Sequence, residues 1–170
     1  MYRWMCHPAI ASGVGLRSTP SLERTRAWIQ HSLDDPLTSA FAIVVDQQYV
    51  GNVVLDKIDT YLKTSRLSVY IGESQARGSG VGLTGIYRAL LEGFKKHDLH
   101  KVWLTVHAQN EAALRTYLKL GFKVEGVLRD EFWLAGRRVD AYYMGLLSHE
   151  LETPSCEGPE LDRRLSSKSF

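Results

Sequence analysis

The sequence predicts a single α/β domain: a mixed, mostly antiparallel sheet with helices on both faces. Three observations predict it. Leu67, Val69 and Ile71 alternate with Ser68 and Tyr70, the period of a strand. Apolar residues at 83, 86, 90, 91 and 94 then recur at helical spacing. Val102-Trp-Leu-Thr-Val106 follows as another strand, and two strands joined through a long helix pair in parallel, with the helix as their crossover.

A chain of 170 residues suits one domain with a real core. Hydrophobic content of 44% and charged content of 24% are ordinary for a globular protein, and a net charge of +2 argues against a nucleic-acid or membrane-surface binder. No apolar run reaches the ~18 residues of a membrane span. The N-terminus lacks the continuous apolar region of a signal peptide. Cys6 and Cys156 lie far apart and neither belongs to a metal-spaced cluster, so the expectation is a reduced, cytoplasmic protein without a metal.

Taken in order, Tyr2 to Pro8 reads as a short helical turn ended by proline. Residues 11–18, with Gly13 and Gly15, read as a mobile loop. Thr19-Pro20 opens a helix as N-cap and first helical residue, with Leu22, Ala27, Trp28, Ile29 and Leu33 as its apolar face and Asp34-Asp35-Pro36 as its end. Ala40 to Val45 and Tyr49 to Leu55 are strands about a turn at Asp46, and residues 56–63 link them to the strand ending at Ile71, an antiparallel meander. The long helix runs from about Gly80 to His97. Gly85 and Gly93 each cost it about 1 kcal/mol in propensity, and close packing on the sheet is the expected reason. Asn110 to Leu120 is a second helix capped by Gly121. Phe122 to Trp133 and Arg137 to Leu147 form a closing hairpin around Ala135-Gly136. The domain is expected over 1–152. From Thr153 on, Pro, Ser, Gly and charge predict a disordered tail.

Between the Ile71 strand and the long helix lies Gly72-Glu-Ser-Gln-Ala-Arg77-Gly78-Ser79-Gly80-Val81-Gly82. The first N–H groups of a helix lack intrahelical partners and carry the positive end of the dipole, while glycines let a bulky anion approach the backbone. The loop is therefore a candidate phosphate cradle. A P-loop would need Gly-Lys-Ser/Thr, and no lysine lies between Lys63 and Lys95. Gly80-x-Gly82-x-x-Gly85 fits a dinucleotide turn, but the next strand ends in His107-Ala108 rather than an acidic residue.

Arg77-x-x-Gly80-x-Gly82 resembles the coenzyme A pyrophosphate motif of the GNAT superfamily of N-acyltransferases. The block from Asn110 through Ala113, Tyr117, Lys119, Gly121 and Phe122 to Glu125-Gly126 resembles that family's second signature, in the expected order and spacing. The resemblance covers roughly residues 1–151. Val127 to Trp133 is similar to the branch holding ribosomal-protein alanine, spermidine and amino-sugar acetyltransferases. Trp4-x-x-His7-Pro8 resembles a segment that follows the first strand in that branch, so this strand is expected to be missing here. The resemblance implies a GNAT fold whose parallel strands, 66–72 and 101–107, splay apart to admit the coenzyme.

It also implies the chemistry. Backbone N–H groups of Gly78, Ser79, Gly80, Val81 and Gly82 hold the pyrophosphate of acetyl-CoA. Arg77 either reaches a phosphate or is solvated. Main-chain groups of Tyr70, Ile71 and Gly72 bind the pantetheine and the acetyl oxygen, and a donor there is commonly worth ~3 kcal/mol. Asn110 caps its helix and binds pantetheine. Tyr117 is the general acid on the departing thiolate, with a core tyrosine as the bland alternative. Lys119 meets a coenzyme phosphate or water. The base is open among Glu73, His107, Glu131 and water. His7, His97, His100 and His149 read as surface residues.

The expected activity is acetyl transfer to a primary amine by direct attack in a ternary complex. The acceptor is a protein N-terminus, a polyamine or amino acid, or a nucleotide-linked amino sugar. The competing reading is a non-catalytic acyl-CoA-binding or regulatory module. Dimerisation is common in the family and is the expected partnership.

Overall fold

The computed structural model describes residues 1–7, 10, 19–134 and 136–154. Pro8, the 11–18 loop, Ala135 of the closing hairpin and residues 155–170 of the tail lie outside these. The described elements are α1 (Tyr2–Met5), α2 (Leu22–Asp34), β1 (Ser39–Val45), β2 (Gln48–Asp59), β3 (Thr64–Ile71), α3 (Val81–His97), β4 (Lys101–His107), α4 (Glu111–Lys119), β5 (Lys123–Leu134) and β6 (Arg137–Leu147). One-turn 3₁₀ helices follow β3 at Ser74–Ala76 and β6 at Ser148–Glu150.

All six strands form one sheet in the order β1-β2-β3-β4-β6-β5. The β3–β4 pair is parallel and the other four pairs are antiparallel. The parallel pair meets only at Thr64–Lys101, Ser65–Val102 and Arg66–Trp103. Leu67 to Ile71 and Leu104 to His107 run on without partners across the seam, so the expected splay is present. The base of the seam is fixed by polar contacts. Buried Ser65 donates to the Asp56 carbonyl at 2.9 Å, and Arg66 grips the Asp56 carboxylate through two hydrogen bonds of 2.8 and 2.6 Å.

The strand period sorts the core. Val53, Leu55, Leu67, Val102, Leu104, Met144 and Leu146 share one face and pack with Ile86, Ala89 and Leu90 of α3. Both helix glycines earn their place there. A Cβ at Gly85 would lie 2.9 Å from Ile43 Cδ1, and one at Gly93 would overlap Leu55 Cδ1. Trp28 and Ser32 of α2 line a cavity with Val54 and Asp56 on the opposite face of β2, giving helices on both sides.

Two details of α2 differ from expectation. Ser21, not Thr19, is the N-cap, its Oγ accepting from Arg24 N at 3.1 Å. Ser and Thr both cap well, and tertiary placement decided between them. The covered stripe runs through Thr25, Trp28, Ile29 and Ser32, while Leu22, Ala27 and Leu33 are exposed. Periodicity alone does not say which of two overlapping stripes will meet the sheet.

The closing hairpin carries a wide irregularity. Register jumps between Leu128–Ala141 and Phe132–Val139. Asp130 sits there at φ 54°, and its N–H donates to Asp140 Oδ1 at 2.9 Å. The Asp140 carbonyl accepts from Ala108 N at 2.9 Å, tying the bulge to the end of β4. Among the described residues no helix is long and apolar enough to cross a membrane.

Candidate active site

The loop after β3 ends in an open helix start. Gly78 has φ 76° and Gly80 φ 85°, a left-handed geometry that favours glycine. Gly80 is the N-cap of α3 and supplies no side-chain hydrogen bond. Thr84 N donates to the Gly80 carbonyl at 3.0 Å, so the amides of Val81, Gly82 and Leu83 precede the first intrahelical bond. Ser79 does not fold over them, because its Oγ donates to the Ala76 carbonyl at 2.8 Å. A Cβ at Gly78 would touch nothing within 4 Å, and one at Gly82 would find Ile71 Cγ1 at an ordinary 3.7 Å. The small residues therefore leave room that the protein's own packing does not use. Uncapped amides, dipole and free space together fit a diphosphate.

Arg77 is exposed, and its guanidinium turns back to the strand end. Its Nε donates to the Ile71 carbonyl at 3.0 Å and its Nη2 to the Gly72 carbonyl at 3.3 Å. The guanidinium thus closes the loop onto the strand end. The residues of that strand end also divide by role. Gly72 N–H donates to the Val50 carbonyl at 2.8 Å and so belongs to the β2 ladder. In a strand successive residues turn their N–H groups to opposite edges. Tyr70 therefore also faces β2, opposite Asn52, and the Ile71 amide faces the splay. Of the three main-chain candidates, Ile71 is the one whose donor points into the gap.

Tyr70 contributes its side chain on the other side. Tyr49 donates to Asn52 Oδ1 at 2.6 Å, and the two phenol oxygens, of Tyr49 and Tyr70, lie 3.0 Å apart. Burial pushes both phenols above the usual tyrosine range.

Across the gap, Asn110 caps α4, its Oδ1 accepting from Ala113 N at 3.2 Å. Tyr117 is 7% exposed and edge-on to Phe122, with ring centroids 5.6 Å apart. Its pKa is pushed up to about 12 by burial. The phenol packs in the core, and among the described residues its hydroxyl has no hydrogen-bond partner. Lys119 is exposed at the C-terminal end of α4.

The three base candidates separate. Glu73 is half-buried at the β3 arm of the cleft, its Oε1 accepting from Trp4 Nε1 at 3.1 Å. His107 ends the β4 arm, edge-on to Phe132 at 6.0 Å. Its Nδ1 is buried without a partner among the described residues, and burial lowers its pKa. Glu131 is exposed on the bulge of β5. His97 is not a plain surface residue, since its Nε2 lies 2.9 Å from Ser39 Oγ.

Trp4 is the residue that the sequence reading missed as part of the site. Its ring lies tilted against Tyr49, with centroids 4.9 Å apart, and stands edge-on to Tyr70 at 6.2 Å. No spacing rule joins it to Glu73, which is 69 positions away.

Residues 1–123 match the family model described as the acetyltransferase (GNAT) domain, and the chain belongs to that family. It is 30% identical over 118 residues to spermidine N(1)-acetyltransferase of Escherichia coli K12, a match covering 69% of this chain and 63% of that protein. It thus spans somewhat less than two thirds of that relative's length. Its fold is similar to spermidine N-acetyltransferase of Vibrio cholerae solved with CoA and spermine, with a TM-score of 0.81, 25% identity and 88% of each chain covered. A dodecameric structure of the Vibrio cholerae enzyme gives a TM-score of 0.69 at 28% identity, covering 76% of this chain and 77% of that one.

Proposed function

We propose that the protein is an N-acetyltransferase that moves acetyl from acetyl-CoA to a primary amine of a polyamine. The observation that carries this reading is the uncapped start of α3 beside two unzipped parallel strands, with the Ile71 amide turned into the gap. The likeness to spermidine acetyltransferases favours a polyamine over a peptide N-terminus or an amino sugar.

Acetyl-CoA supplies an acetyl thioester. The chain's own groups do the rest. Amides of Gly78 to Leu83 hold the diphosphate by charge-dipole attraction. Asn110 has its Nδ2 available toward the pantetheine amides. The Ile71 N–H stabilises negative charge on the acetyl oxygen. Tyr117, protonated throughout the working pH range, donates its proton to the departing sulfur. Glu73 draws the ammonium group of the acceptor to the cleft and takes its proton. His107 is the second candidate for that step, favoured by its unpartnered Nδ1 and its lowered pKa, which keep the imidazole neutral at pH 7. The place of work is the cytoplasm, and the protein assembles with copies of itself, as the dodecameric relative suggests.

The test is a panel of spermidine, a peptide with a free N-terminus and a nucleotide-linked amino sugar, with products identified by mass spectrometry and thiol release followed in parallel. Acetylated spermidine is expected. Acetyl-CoA binding with no amine consumed would instead support the non-catalytic module.

A further inference from the structure

Trp4 enters the site from the far end of the chain, and its position is unusually constrained. Gly72 is buried beneath it, and a Cβ at that glycine would fall inside the indole ring. Tyr49 packs on the ring at 4.9 Å and is itself pinned by Asn52 and Tyr70. An indole held on several sides has one polar atom and one direction in which to donate. That direction is the Glu73 carboxylate, at 3.1 Å. Among the described residues it is the one hydrogen bond that this carboxylate receives. The Glu73 backbone is fixed as well, its N–H lying 3.3 Å from the Val50 carbonyl. A glutamate normally samples many rotamers. Here one oxygen is anchored, and among the described residues no hydrogen bond reaches the other, although the Met1 ammonium feels the charge of the carboxylate.

We infer that Trp4 is a positioning residue: its indole N–H fixes Glu73 at the mouth of the cleft so that the second carboxylate oxygen meets the ammonium group of the acceptor. This rests on the reading of the site as an amine acetyltransferase. It adds a specificity device to that site, because an anchored anion selects acceptors that arrive positively charged. The chain Asn52–Tyr49–Trp4–Glu73 makes the device rigid, as precise recognition requires.

The test compares W4F, which keeps an aromatic ring but no donor, with E73Q, E73D and the W4F/E73Q double variant. Turnover of spermidine by the unmodified protein is measured first, and its absence sinks the functional reading rather than this one. Given turnover, W4F should raise the KM for spermidine about tenfold, the loss expected for one hydrogen bond to a charged group. The KM for acetyl-CoA should stay within about twofold, because the cradle is untouched. The double variant should be no worse than E73Q, since the amide of E73Q still accepts from the indole but leaves it no charge to position. E73D keeps the charge but shortens the reach to the indole, and it should mimic W4F. It decides the matter if W4F loses acetyl-CoA binding through misfolding. Spermidine kinetics unchanged in W4F and E73D, or W4F and E73Q effects that multiply in the double variant, would overturn the assignment.

Discussion

The guanidinium of Arg77 reaches back six residues to the carbonyl of Ile71, 3.0 Å from its Nε. That carbonyl and the Ile71 amide share one edge of β3, the edge that faces the splay. Arg77 therefore occupies the acceptor of this peptide edge and leaves its donor for a ligand.

Replacing Arg77 with alanine should free the strand end and raise the KM for acetyl-CoA by about fivefold, corresponding to ~1 kcal/mol for a partly exposed charge-assisted bond. Arg77→Lys should recover little, because a lysine cannot reproduce the fork that spans two carbonyls. Steady-state kinetics with varied acetyl-CoA checks both, and full recovery by lysine would show that only the charge matters.

Tyr117→Phe separates chemistry from packing. Among the described residues the hydroxyl makes no hydrogen bond, so thermal stability should change by no more than about 0.5 kcal/mol. Turnover should fall by about a hundredfold or more, the usual contribution of a general acid. Burial holds the phenol up to about 12, so the unmodified protein should show no alkaline loss of activity from this group below about pH 10. Thermal melts and a pH–rate profile test the pair of statements. A turnover unchanged in Tyr117→Phe would leave the residue a core tyrosine only.

Two glycine substitutions should have opposite signatures. Gly82→Ala fits the protein, since its Cβ would sit 3.7 Å from Ile71 Cγ1. It should leave the melting temperature nearly unchanged while weakening acetyl-CoA binding about tenfold, by intruding on the cradle. Gly93→Ala would strike Leu55 in the core. It should destabilise by about 1–3 kcal/mol, as overpacking does, with the affinity of the folded fraction intact. Calorimetry of binding and of unfolding distinguishes them.

Stability should also depend on pH through His107 and His97. Burial lowers both pKa values in the folded protein. Below the unfolded value of about 6.5 the unfolded chain binds more protons, so acid favours unfolding. Stability is complete above about pH 6.5 and falls as pH drops through the lowered folded values. Melts between pH 8 and pH 5 should show this fall, and His107→Gln should flatten it. An unchanged slope would exclude His107 as a contributor.

The long helix and its glycine loop were legible because local rules agree there: helical period, uncapped start, left-handed glycines at 78 and 80. Gly85 and Gly93 announced close packing before Ile43 and Leu55 were known to be their neighbours. The signals failed where distant residues decide. Thr19 and Ser21 are equally good caps locally. Asp46 and Gln47 hold left-handed geometry at φ 47° and 63° without a glycine to mark it. The β5 bulge is braced by the Asp140 carboxylate, and Trp4 meets Glu73 across 69 positions of chain. Arg77 was visible as a cation, but the two carbonyls that it meets follow from the path of a loop that no periodicity describes.

Three rungs, from Thr64–Lys101 to Arg66–Trp103, join the β1-β2-β3 half of the sheet to the β4-β6-β5 half. Beyond those rungs the halves are held by the core they share under α3, in which Val53 and Leu55 of one half join Leu104, Met144 and Leu146 of the other. A substitution in that shared floor therefore bears on both arms of the gap at once.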